Sequence, residues 1–87
     1  MDNVYDIELK DTTNMMTSED YKERFKAEFY QLHIRYGKLN TLLFDMANDK
    51  LDFAPACSRE LLDTQHSIMS AYLNVLRERA RIEGIEL

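Results

Sequence analysis

Cross-linking within one copy is closed to this chain, because its 87 residues include one cysteine, Cys57. No nearby histidine or base motif accompanies that thiol, so it reads as a small apolar filler after the Pro55 loop rather than a catalytic nucleophile. Two glycines and one proline leave little for sheet turns and suit long helices. No long uncharged apolar run is present, which excludes a membrane-spanning helix. Basic charge is in deficit: the net charge is −5, which argues against a coat for DNA or RNA polymers but leaves room for a local basic pocket. The opening MDNVYDIELKD is acidic and lacks the basic region of a secretory signal. A chain of this length makes at most one small domain and buries a modest share of its surface. Without cross-links, the remedy left is oligomerisation.

What is present is helical periodicity. Phe25, Phe29, Leu32, Tyr36, Leu39, Leu43 and Met46 step by four and three, which predicts a helix over about 19–47. Thr17 or Ser18 can cap it, and Glu19 and Asp20 suit the positive end of its dipole. Gly37 sits inside the pattern, either tolerated or admitting a close approach. Asn48-Asp49 and Pro55 interrupt, with Leu51 and Phe53 expected to plug the hairpin end. Ser58 caps a second helix over about 59–83, which Gly84 stops. The terminal Ile85 and Leu87 are left to dock on a neighbour. Residues 1–16 read as a leader, extended or flexible, and 17–87 as the helical-hairpin domain.

The second helix carries two adjacent heptad rows. Leu62, His66, Met69, Leu73, Leu76 and Ala80 form one, nearly all apolar. Leu61, Gln65, Ile68, Tyr72, Val75, Arg79 and Ile82 form the other, in which every second member is polar or amphipathic. Two rows are more than one partner helix can cover, and buried polar groups need hydrogen-bond partners. The expected architecture is therefore all-α: an antiparallel two-helix hairpin that assembles with copies of itself. In that hairpin Phe25 should face the region of Ile82, Met46 the region of Leu61, and Arg35 the level of Tyr72.

No catalytic set emerges. His33 and His66 stand on different helices without paired cysteines or clustered carboxylates, and there is no glycine-rich phosphate loop or serine elbow. The expectation is a protein that is not an enzyme and holds no metal or cofactor. His66, on the apolar row, is expected to pack and find one hydrogen bond. Aromatics and cations beside the rows remain: Tyr21, Phe25, Tyr30 and Tyr36 on the first helix, Tyr72 on the second, and Arg35 and Lys38 in the middle of the first. A guanidinium can grip phosphate and a ring can stack on a base, although such neighbours also serve as plain packing pairs.

The run Leu61-Leu62-x-x-Gln65-x-x-x-Met69-x-x-Tyr72-x-x-x-Leu76-x-x-Arg79 resembles the signature of the phage helical-hairpin sponges, the anti-CBASS and anti-Thoeris proteins that sequester cyclic nucleotide signals. On the first helix Tyr30-x-Leu32-x-x-Arg35-x-x-Lys38-Leu39 is similar to that family's Glu-Tyr-x-Glu-Leu-x-x-Arg-Ile-x-Lys-Leu pattern. The resemblance spans about residues 21–80. The chain departs from the family at Tyr36 and Ala80, where isoleucine is usual, and in its leader, which short members lack.

The resemblance implies a homo-oligomer, a hexamer in the anti-CBASS branch. It also implies a phage protein acting in the host bacterial cytoplasm during infection, holding cyclic oligonucleotides, or cyclised ADP-ribose signals, at subunit interfaces without cleavage. A cyclic dinucleotide has two phosphates and two bases, which a two-fold interface matches. Placed on this sequence, the phosphate contacts fall to Arg35, Lys38 and Arg79, with Arg77 behind them, and the stacking contacts to Tyr21, Phe25 and Tyr72. Gln65 reads better as a tie between subunits. The competing expectation is a small helical adaptor or structural protein that grips a host protein through the same heptad rows.

Overall fold

The computed structural model describes residues 6–87. Among them all regular structure is helical: a 3-10 turn Leu9–Thr12, α1 Thr13–Met16, α2 Tyr21–Ala47 and α3 Arg59–Glu83. The heptad on the first helix yields α2, but its start falls at Asp20, not at Thr17 or Ser18. The Asp20 carboxylate accepts from the Lys22 amide at 3.0 Å, while Ser18 Oγ accepts from the Asp20 amide at 3.1 Å. An aspartate satisfies a free helix amide and also suits the dipole, so it outcompetes the hydroxyls just before it. Ser58 caps α3 as expected, accepting from the Leu61 amide at 3.1 Å. Gly84 closes α3 in the left-handed region at φ 70°. Gly84→Ala is expected to lower stability by about 1 kcal/mol, because that conformation crowds a Cβ; a reduced urea midpoint would register it.

α2 and α3 run antiparallel along each other. Arg79 lies over the Phe25 ring and Arg77 over Phe29, while Tyr36 stacks on His66 toward the other end. The apolar row of α3 is the one buried: Leu62, Met69, Leu73, Leu76 and Ala80 lie in the interior. They meet α2 in two clusters. One holds Phe25, Phe29, Tyr30, Leu73, Leu76, Ala80 and Ile85. The other holds Leu39, Leu43, Leu62 and Met69. His66 borders them as expected of a packed histidine, with its ring 4.5 Å from that of Tyr36 and its Nε2 3.0 Å from Asn40 Oδ1.

Several expectations are corrected. Ile85 is buried and Leu87 packs beside it, both on this chain's own core, because the Gly84 turn reverses the backbone onto Phe25 and Phe29. Cys57 is exposed and fills nothing. Phe53 is 59 % exposed; with Leu51, Asp45, Met46, Asp49 and Pro55 it lines an open cleft of about 280 Å³ at the hairpin end instead of plugging it. Residues 9–16 are helical and docked on α2, not extended. Thr12, 1 % exposed, accepts from Gln31 Nε2 at 2.9 Å, and Ile7 and Met15 pack against the first cluster. The first five residues of the expected leader lie outside the described residues.

His33 is buried in α2, its ring 5.9 Å from that of Phe29. Burial, helped by the charge of Arg77, holds its imidazole below the ordinary pKa of 6.5. The unfolded chain therefore binds a proton as pH falls through about 6.5 while the folded chain resists it. This contribution to stability is full above that pH and shrinks as pH drops toward the folded value. His33→Gln is expected to flatten the dependence of the urea midpoint on pH between about 7 and 5.5.

Candidate ligand-binding site

The seven residues expected to hold a ligand fall into three groups. The first lies where the start of α2 meets the end of α3. Tyr21 is 50 % exposed on the first turn of α2 and can present a ring face. Phe25, one turn on, is 5 % exposed and belongs to the core. Its ring carries the Arg79 guanidinium 4.9 Å from its centre, so here the aromatic–cation pair is internal. Arg79 also donates from Nε to Glu83 at 3.1 Å. Arg77 sits 5.5 Å from the centre of the Phe29 ring, with a long contact of 3.4 Å to Asn74 Oδ1. Helix spacing explains this arrangement. Arg79 lies three residues before Ile82 on the outer row, and its long stem reaches across to the first turns of α2.

The second group is Tyr72 alone. Its hydroxyl donates to the Glu28 carboxylate, and its ring remains 42 % exposed. The expected pairing of Tyr72 with the level of Arg35 does not occur. The antiparallel register sets Tyr72 beside Glu28, two turns nearer the start of α2. Residue spacing carries no sign of this pairing, because Glu28 stands off the apolar heptad of α2.

The third group is Arg35 and Lys38, three residues apart on α2. Both are exposed, and among the described residues neither makes an ion pair. Residues three apart share a helix face, so the two cations form one positive patch. Arg35 is also seven residues beyond Glu28, hence on nearly the same line of α2. Since Glu28 reaches Tyr72, that line flanks the outer row of α3, and Arg35 stands beside the Gln65–Ile68 stretch. In contrast to Arg77 and Arg79, these two cations have their full hydrogen-bonding capacity available for an anion. Arg35 offers a planar fork of donors and Lys38 a point charge.

The outer row itself is open. Leu61 is 58 % exposed, Ile68 63 %, Val75 56 % and Ile82 68 %. Among the described residues no cluster of three or more histidine, cysteine or carboxylate side chains is placed to hold a metal ion. Among them, too, no helix is long and apolar enough to cross a membrane. What this surface can do is bind: it has cations for phosphate, rings for bases and an apolar row for a neighbour.

A family model described as Sequestin matches residues 19–82, from the turn before α2 almost to the end of α3. The 3-10 turn and α1 lie outside the matched segment. No curated protein and no solved structure matches the chain.

Proposed function

The chain belongs to the Sequestin family, the phage anti-CBASS and anti-Thoeris cyclic nucleotide sponges, and we propose from that premise that it binds and sequesters cyclic nucleotide second messengers without cleaving them. Its ligands are cyclic di- and trinucleotides, with cyclic ADP-ribose isomers as a further class. The working form is a homo-oligomer, a hexamer, in the host bacterial cytoplasm during infection. The observation that carries this reading is the family match over both helices of the hairpin.

The geometry supports a division of labour among the site residues. Arg35 and Lys38 hold the phosphates, because both are exposed on one face of α2 and neither makes an ion pair among the described residues. Tyr21 offers an exposed ring for stacking. Arg79 and Arg77 contribute positive potential at the far end while seated on Phe25 and Phe29. Tyr72, tied to Glu28, presents its remaining ring face. Phe25 supports Arg79 from below and does not stack on a base.

A sponge works by mass action. It silences a signal when its sites outnumber signal molecules and its dissociation constant lies well below the signal concentration. No chemical step is required. Calorimetric titration with a panel of cyclic nucleotides tests the reading, and recovery of intact ligand after heating the complex separates sequestration from hydrolysis. Tyr21→Ala is expected to weaken binding by about 10-fold or more, as the loss of one stacked base would, with helicity by circular dichroism unchanged.

A further inference from the structure

We infer that the cleft at the hairpin end is a docking surface for a basic, partly apolar segment of another protein. The inference goes beyond the sponge reading and uses none of the residues assigned there. Asp45, Met46, Asp49, Leu51, Phe53 and Pro55 line an open hollow of about 280 Å³. Its wall is apolar: Met46, Leu51 and Pro55 are half-buried, and Phe53 keeps 59 % of its surface in water. Apolar surface left open in a concave place marks a binding site. The volume falls just short of the roughly 300–1,000 Å³ of small-molecule pockets, so the hollow takes one or two side chains rather than a whole nucleotide.

The occupant follows from charge. The stretch from Phe44 to Ser58 holds three carboxylates, Asp45, Asp49 and Asp52, against one cation, Lys50. That cation is drawn elsewhere: its Nζ lies 5.6 Å from the centre of the Phe44 ring, outside the lining of the hollow. Among the described residues none of the three carboxylates makes an ion pair. Whatever fills the hollow takes water from Asp45 and Asp49, and a carboxylate removed from water without a partner is costly. The occupant must therefore bring a cation beside an apolar group. Arginine suits both needs, because its fork can grip a carboxylate while its stem lies along Phe53.

Two other occupants are disfavoured on the same ground. Asp45 stands seven residues beyond Lys38 on α2, and its charge repels the phosphate that the Lys38 patch attracts. The same end of a second copy would set carboxylates against carboxylates. The turn itself keeps the two rim residues in place. The Lys50 amide donates to the Asp45 carbonyl at 2.9 Å, and Asp49 sits in the left-handed region at φ 54°. Asparagine accepts that backbone readily, so replacing Asp49 by asparagine removes charge without straining the turn.

The test uses the full chain and a short fluorescent peptide alternating arginine and leucine. Controls are the same peptide with glutamate in place of arginine, and unlabelled spermine, a cation without apolar side groups, as competitor. Fluorescence anisotropy should show the arginine–leucine peptide binding, more weakly as salt rises. Amide shifts in nuclear magnetic resonance should cluster at about 44–55. The double variant Asp45→Asn, Asp49→Asn should weaken binding by about 10-fold, the scale of two ion pairs lost at a surface. Phe53→Ala should weaken it by about 10-fold as well, through lost apolar contact. Helicity by circular dichroism should not change in either variant, since the three side chains are exposed or half-buried. No binding up to about 1 mM peptide, equal binding of the acidic peptide, equal potency of spermine, or undiminished binding by the variants would each overturn the inference. So would a fall in mass by light scattering in either variant, which would put a second copy in the hollow. Cyclic nucleotide titration of both variants keeps the two readings apart. Nucleotide bound with no peptide bound removes the docking surface alone, and the reverse removes the sponge alone.

Discussion

The double variant Arg35→Glu, Lys38→Glu should lose cyclic nucleotide binding by about 100-fold or more while keeping its fold. A hydrogen bond to a charged group contributes about 1.5–3 kcal/mol, and every 1.4 kcal/mol is about tenfold in affinity. Two such contacts removed and replaced by like charges exceed 100-fold on the lower figure alone. The fold is safe because both side chains are exposed on α2 and neither ion-pairs with a described residue. Calorimetry and circular dichroism on the same sample check both halves. The same charge reversal at Arg77 should do less, since that guanidinium already lies over Phe29. A comparable loss at Arg77 would move the phosphate site to the other end of the hairpin.

The largest effect on stability is expected at Phe29. Its ring is 0 % exposed and sits in the cluster of Phe25, Tyr30, Leu73, Leu76, Ala80 and Ile85. Truncating a buried phenylalanine to alanine costs about 3–5 kcal/mol, because the cavity collapses only in part. Phe29→Ala also withdraws the ring beneath Arg77 and the neighbour of His33. Small domains unfold at about 5–15 kcal/mol, so the variant should lose about a fifth or more of its stability. Urea melts at matched protein concentration would show it, since any assembly makes the midpoint depend on concentration. A loss below 1 kcal/mol would mean that the cluster repacks around the vacancy.

Periodicity made the hairpin legible. The span of α3, its Ser58 cap, its Gly84 stop and the division of its two rows into one buried and one exposed all follow from spacing and cap chemistry. The misses share a cause: each depends on a contact that no period encodes. Tyr72 finds Glu28, two turns from the expected level, because a polar pair fixes the local register and Glu28 is not on the apolar row. The leader docks through Thr12 and Gln31, two polar residues nineteen apart in sequence. Ile85 and Leu87 turn back onto their own core because the left-handed glycine reverses the chain.

For the candidate site, spacing shows which residue types stand together on a helix but not whether each is open to a ligand. Arg35 and Arg79 look alike as arginines beside aromatics. Only the fold separates an arginine already seated on Phe25 from one that is open.

Sequestration itself is tested most directly by titrating purified wild-type protein, in a calorimeter, with cyclic di- and trinucleotides and cyclic ADP-ribose isomers, then heating the complex and recovering the ligand. At least one of these signals should bind with a dissociation constant below micromolar and be released chemically intact. No binding at micromolar concentration by any of them, or release of a linearised product, would contradict it.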